Sequence, residues 1–97
     1  EKGFLERPDL CAVDNNINPR NYLGKFYVDS IVHSQETLSY LVNTLGTSSV
    51  ILGSDYPFPL GEEKPGNLIE SSSEIDADIK NKLLYTNALN WLGLHKI

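Results

Sequence analysis

The chain is short and acidic, with 97 residues, 40% hydrophobic content and a formal net charge of −5. Its length suits one small domain. Its charge argues against nucleic acid or an anionic membrane as a partner, because both need clustered Lys and Arg. No apolar run approaches the ~18 residues of a membrane span, and the single Cys11 cannot form an internal disulfide. We therefore expect a cytoplasmic protein in the reducing cytosol.

The sequence contains no methionine and begins with Glu1. A translated protein begins with Met, and removal of that Met requires a small second residue, which Glu is not. We therefore expect the sequence to be a piece of a longer chain.

The N-terminal part is predicted to be irregular, apart from short helical turns. Residues 7–12 are predicted to form one such turn, and the Asn-rich stretch 15–19 is typical of a loop. Pro19 favours the first turn of a short helix, with Asn18 as its cap and Gly24 as its stop.

The middle of the chain predicts a strand, a helix and a second strand. Aromatic and β-branched residues predict a strand over 26–32, and an apolar run predicts another over 50–53. Between them, a helix is predicted that begins after its cap Ser34 and ends at Gly46, which is expected in the left-handed conformation. The apolar residues of that helix have helical spacing: Leu38, Leu41, Val42 and Leu45. Short joins predict a parallel crossover unit covered by helices on both faces of its sheet.

The C-terminal part is predicted to be helical. Residues 65–70 predict a short helix, and Ser73 with Asp76 resembles a capping box that opens another. Asn87 is predicted to cap a last turn that Gly93 closes. Because two parallel strands do not make a finished domain, we expect further βα units elsewhere in the protein.

Asp55 is the first candidate for chemistry. It directly follows the second strand, and ligands and metals lie at that end of strands in parallel α/β folds. The functional interpretation is a metal ligand or general base, helped by the small residues Gly53 and Ser54 beside it. The alternative is a carboxylate that caps the following turn.

Other residues give weaker signals. His33 ends the first strand, as Asp55 ends the second, and is either a ligand or a turn residue. Asp29 inside the first strand must be hydrogen-bonded or face a polar interior if it is buried.

Cys11 is predicted to be buried without a chemical role, and His95 to lie at the surface. The sequence contains no His-x-His pair, nucleophile elbow or phosphate-binding loop, and one carboxylate does not make a metal site.

Several stretches together carry a family resemblance: residues 7–12, 22–24, 26–27, 50–62, 65–71, 80–83 and 87–94. The most specific is Asp-Tyr-Pro-Phe-Pro-Leu-Gly-Glu at 55–62. Over nearly its full length, the chain resembles the C-terminal part of a decarboxylase of the metal-dependent amidohydrolase superfamily. The resemblance implies an α/β fold in which residues 1–97 are the C-terminal portion of a single (β/α)8 TIM-barrel domain. Its two strands would be the last two, the seventh and eighth.

The resemblance also implies a function and site residues. It implies a zinc ion (Zn²⁺) with Asp55 as one ligand, and a substrate pocket lined by Phe58 and Leu60. The catalytic histidine and the other ligands would lie upstream of Glu1, so the chain alone is expected to be inactive. The implied activity is non-oxidative decarboxylation of an aminocarboxymuconate semialdehyde in tryptophan and kynurenine catabolism, which limits quinolinate formation. The implied assembly is a homodimer acting on a small-molecule substrate.

Two alternatives stay open. The chain is also compatible with a decarboxylase or hydrolase of the same superfamily that acts on a different acid. The other alternative is a truncated chain that binds a partner and catalyses nothing.

Overall fold

The computed structural model describes residues 1–94, which form short helices and one small sheet. The α-helices are α1 (Lys2–Glu6), α2 (Pro8–Cys11), α3 (Gln35–Leu45), α4 (Asn67–Glu70), α5 (Ala77–Asn81) and α6 (Asn87–Leu92). The strands are β1 (Val28–Asp29) and β2 (Val50–Ile51), and a 3₁₀ helix covers Pro19–Tyr22. Among these residues, no helix has the length and apolar character needed to cross a bilayer. His95, predicted at the surface, lies outside the described residues.

The two strands pair in parallel, with Val28 opposite Val50 and Asp29 opposite Ile51. This confirms the predicted strand–helix–strand unit, since α3 connects the strands. Both strands are shorter than predicted because the backbone beyond them finds other partners. The Leu52 N–H donates to the Leu83 carbonyl at 3.0 Å, and the Gly53 N–H donates to the Ser30 hydroxyl at 3.3 Å.

Helix α3 begins and ends as its sequence predicts, with one difference at its C-terminus. The Ser34 hydroxyl accepts a hydrogen bond from the Thr37 N–H at 3.1 Å, which confirms the N-cap. Leu38, Val42 and Leu45 are buried, and Leu41 packs against the core. Gly46 has φ +93° and ψ 162°, so it leaves the helix in an extended, glycine-favouring conformation rather than the predicted left-handed one.

The C-terminal helices form one continuous run, which corrects the prediction for Asn87. A π-helical turn over Lys82–Thr86 joins α5 to α6 without a break. Thr86 is itself helical, at φ −64° and ψ −39°, so the helical backbone runs on into α6 and no cap is needed at Asn87. Gly93 ends α6 in the left-handed conformation, as predicted.

The predicted capping box at Ser73 is wrong. The cap of α5 is Asp76, whose carboxylate accepts a hydrogen bond from the Ile79 N–H at 2.9 Å. The helix begins late because the Ser72 hydroxyl first accepts from the Glu74 N–H at 3.2 Å, which holds residues 72–74 in a turn.

The predictions for residues 7–12 and for the cap Asn18 are confirmed, whereas helix α1 (Lys2–Glu6) was not predicted and Cys11 was predicted wrongly. The Asn18 side chain accepts from the Arg20 N–H at 2.9 Å and so caps the 3₁₀ helix. Gly24 follows with φ +85°. Cys11 is exposed rather than buried, because α2 is a single turn with no buried residue.

The core lies on one face of the sheet only. Its buried members are Leu38, Val42, Val50, Ile69, Ile75 and Leu83. The other face carries an open apolar groove of about 490 Å³ lined by Tyr27, Ile51 and Trp91. The radius of gyration is 16.0 Å, whereas a compact chain of this length has about 12–13 Å. Helices were predicted to cover both faces of the sheet. In the described part of the chain, they cover only the face that carries the core.

Candidate functional site

The ends of the two strands bring His33 and Asp55 to the same edge of the sheet. Asp29 and Ile51 are partners, His33 lies four positions beyond Asp29, and Asp55 lies four positions beyond Ile51. Both have positive φ, +60° for His33 and +55° for Asp55. This region is uncommon for residues other than glycine, although Asp and His enter it more often than most. The two residues therefore lie the same number of positions beyond a pair of register partners, which agrees with the prediction that each follows the end of its strand.

The Asp55 side chain is exposed at the surface. Its carboxylate makes no hydrogen bond with the described residues. A turn does follow it, but other groups hold that turn. The Ser54 hydroxyl accepts from the Tyr56 N–H at 3.3 Å, and the Asp55 carbonyl accepts from the Phe58 N–H at 2.9 Å. The alternative role for Asp55, a carboxylate that caps the turn, is thus performed by its neighbour and by the backbone.

Residues 54–62 form a closed loop, which we call the strand-end loop. The Glu62 N–H donates to the Ser54 carbonyl at 2.8 Å, and the Gly61 N–H donates to the Phe58 carbonyl at 2.9 Å. A Cβ on Gly61 would lie 2.6 Å from the Ser54 oxygen and 3.0 Å from those of Asp55 and Phe58. Only glycine fits there, because the atoms it would meet are backbone. The loop also contains a cis peptide bond between Tyr56 and Pro57.

The small residue Gly53 has a different role from the one predicted. A Cβ on Gly53 would lie 2.8 Å from the Cβ of Asp29, so the Asp29 side chain fills the space beside the strand end. Asp29 is exposed, and its carboxylate accepts from the Ile31 N–H at 3.1 Å. Asp29 is therefore hydrogen-bonded locally and needs no buried partner.

Phe58 and Leu60 both lie on the strand-end loop, largely exposed. Phe58 lines a depression of about 280 Å³ together with Tyr56, Pro57 and Glu62, and Leu60 is not among the residues that line it. The loop thus places Phe58 close in sequence and space to Asp55. The roles of both side chains toward a substrate stay predictions.

Glu62 is a site residue that sequence reasoning missed. It lines a second cavity, of about 210 Å³, together with His33 and Asn67. Its carboxylate accepts a hydrogen bond from the Leu68 N–H at 3.0 Å. The sequence does offer one signal for this role, an acidic residue shortly before a short helix. The first N–H groups of a helix have no partner within it, and a carboxylate placed before the helix can accept from them.

The described residues do not make a complete metal centre. No group of three or more His, Cys, Asp or Glu side chains within residues 1–94 is arranged to hold a metal ion. Among the described residues, the exposed Asp55 carboxylate has the chemistry of a single ligand. A structural or catalytic zinc needs three or four protein ligands.

Two ion pairs lie in the N-terminal part of the chain, Arg20 with Glu1 and Arg7 with Asp9, the latter at the start of α2. Arg7 donates to Asp9 at 3.0 and 2.8 Å, and its guanidinium lowers the pKa of that carboxyl. Both side chains are exposed, so the pair contributes little to stability.

Comparisons with known proteins identify two relatives that share one name. The chain is 61% identical over 94 residues to 2-amino-3-carboxymuconate-6-semialdehyde decarboxylase of Dictyostelium discoideum, a match that covers 97% of this chain and 26% of that protein. It is 39% identical over 92 residues to the Caenorhabditis elegans protein of the same name, covering 95% of this chain and 23% of that protein. No protein-family model matches the chain. The chain therefore spans about a quarter of the curated relatives it matches, and its similarity to these two decarboxylases confirms the resemblance noted in its sequence.

Proposed function

We propose that this chain is part of a zinc-dependent decarboxylase that acts on 2-amino-3-carboxymuconate-6-semialdehyde. The observation that carries the proposal is the 61% identity to a protein of that name over nearly the whole chain. The reaction would remove carbon dioxide without oxidation and would lower the supply of quinolinate in tryptophan catabolism. The homodimer and the cytosolic location stay predictions.

The proposal includes a (β/α)8 barrel in which β1 and β2 are the seventh and eighth strands. Two features support it: the strands are parallel and joined by a helix, and one face of the sheet is without cover in the described residues. In such barrels the site lies at the C-terminal ends of the strands, which is where Asp55 and His33 are found.

Asp55 is the proposed metal ligand of this chain. Its support is an exposed carboxylate without a hydrogen-bond partner in the described residues, at the end of a parallel strand. A bound zinc would supply an activated water near neutral pH. This chain's own contribution would be to hold that centre through Asp55 and to offer Phe58 as an apolar wall for the substrate. Under this proposal, the remaining ligands would come from residues outside this sequence, as no group of three ligands is found among residues 1–94.

The test is Asp55→Ala in the complete gene product, with Asp14→Ala as a matched control. Asp14 is an exposed aspartate outside the helices and strands, so its loss removes a carboxylate elsewhere. We expect the Asp55 variant to lose bound zinc and decarboxylation together, and the Asp14 variant to keep both. Zinc content is measured by metal analysis and turnover by the decay of substrate absorbance. An Asp55→Ala protein that keeps its zinc and its turnover would refute the ligand role.

A further inference from the structure

The strand-end loop has little packing to hold it in place. Tyr56, Phe58 and Leu60 are 85%, 65% and 76% exposed. The backbone hydrogen bonds of the loop close it on itself, and the Ser54 hydroxyl bonds within it as well. These contacts define the shape of the loop but do not fix its position relative to the core.

One hydrogen bond joins the loop to another part of the chain that the structure describes. It runs from the Leu68 N–H to the Glu62 carboxylate, at 3.0 Å and in a partly buried setting. A charge-assisted bond of this kind is stronger than one between neutral groups. Because the loop buries so little apolar surface, this bond contributes more to holding the loop on the rest of the protein than a single hydrogen bond usually does.

The donor of this hydrogen bond, the Leu68 N–H, lies on a helix that packs against the core. Leu68 belongs to α4, and the next residue, Ile69, is 1% exposed within the core. The Gln35 side chain at the start of α3 donates to the Leu68 carbonyl at 3.0 Å and so ties α4 to a second helix. The path from core to loop therefore runs through α4 and ends at Glu62.

We propose that Glu62 is a positioning residue that holds the strand-end loop, and with it the Asp55 carboxylate and the Phe58 ring, against α4. The proposal rests on the proposed function for the role of Asp55 toward zinc. It assigns no contact between Glu62 and the metal or substrate. Its effect is to limit the positions that Asp55 samples, because the loop begins beside Asp55 and closes at Glu62.

The experiment compares three variants of the complete gene product. Glu62→Ala removes the acceptor, and Glu62→Gln keeps an oxygen that accepts the same bond. Gln35→Ala is the control, because it removes the hydrogen bonds of the Gln35 side chain to the Leu68 carbonyl and the Ser71 hydroxyl but none made by the loop itself. Zinc affinity is measured by competition with a chromophoric chelator, and the exchange of the Phe58, Gly61 and Glu62 amide hydrogens is followed in parallel.

We expect Glu62→Ala to weaken zinc binding about tenfold or more, the scale seen when groups that orient metal ligands are removed. The loop amides should exchange faster in the same variant. Glu62→Gln should restore most of both properties, and Gln35→Ala should leave both as in the wild type. If the alanine variant does not fold, Glu62→Asp, which is one methylene shorter, serves in its place.

Two results would overturn the proposal: unchanged loop exchange in Glu62→Ala, or equal changes in Glu62→Ala and Gln35→Ala, which would indicate general destabilisation. Failure of the proposed function gives a different pattern. In that case Asp55→Ala keeps its zinc and Glu62→Ala leaves zinc affinity unchanged, while the loop amides of Glu62→Ala still exchange faster and those of Gln35→Ala do not.

Discussion

Asn87 provides the sharpest test of how this fold is held together. Its side chain is 1% exposed and donates to two backbone carbonyls, that of Thr47 at 2.7 Å and that of Val50 at 2.9 Å. One carbonyl belongs to β2 and the other to the turn before it, while Asn87 belongs to α6. A single amide group therefore fastens the C-terminal helix to the sheet.

The magnitude for Asn87→Ala follows from these two bonds. The substitution leaves two carbonyls without their partner, and each unsatisfied buried group costs about 1–3 kcal/mol. Alanine recovers about 0.5 kcal/mol through its better helix propensity. We expect a net loss of about 1.5–5.5 kcal/mol in the free energy of unfolding. Asn87→Asp should be worse, because a carboxylate only accepts and would face two carbonyl oxygens. Its deficit should shrink as the pH falls, since the protonated acid regains one donor.

The assay is urea unfolding of the complete gene product, followed by circular dichroism, with free energies taken from midpoints and slopes. Asn90→Ala is the control, because it makes the same change in helix propensity at an exposed position of α6. If Asn87→Ala and Asn90→Ala agree within about 0.5 kcal/mol, a difference typical of surface substitutions, the proposed fastening is wrong.

Three further predictions concern the packing at Gly53, the cap of α3 and the retention of zinc by the chain alone. Gly53→Ala should destabilise the protein by about 1–3 kcal/mol, as overpacked sites do, because the new Cβ would lie 2.8 Å from that of Asp29. Ser48→Ala, at an exposed position before β2, is the control in the same unfolding assay. Ser34→Ala should cost about 0.5–2 kcal/mol through loss of the α3 cap, and Ser34→Asp should restore most of it; equal stability of all three proteins would contradict the cap. The 97-residue chain alone should retain no zinc after dialysis, because its described residues contain no group of three ligands. Stoichiometric zinc in that sample would show that the site is more complete than we propose.

Much of the local structure was predictable because its causes lie within a few residues. Ser34 and Asn18 cap helices through N–H groups two or three positions ahead of them. The alternation of helix and strands was predictable for the same reason, since periodicity is a local property. The corresponding positions of His33 and Asp55 then followed from parallel pairing alone.

The errors arose where a partner distant in sequence decided the outcome. Asn87 was predicted to be a cap from its own neighbourhood, but its side chain serves residues 37 and 40 positions away. The strands were predicted to be longer because no pattern indicates that the Leu52 N–H bonds to a π-helical turn. Buried amides and diverted backbone groups of this kind leave no periodic signal.

Glu62 shows the same limit at the candidate site. Its neighbours in sequence, Gly61 and Glu63, suggest only a polar turn, and nothing in the composition separates Glu62 from Glu63. The structure separates them, because the Glu62 carboxylate meets the Leu68 N–H and Glu63 is exposed. The sequence could single out Asp55 as a candidate, because ligands bind at strand ends in parallel folds. It could not single out the group that steadies Asp55, because the importance of that group depends on how little else attaches the loop.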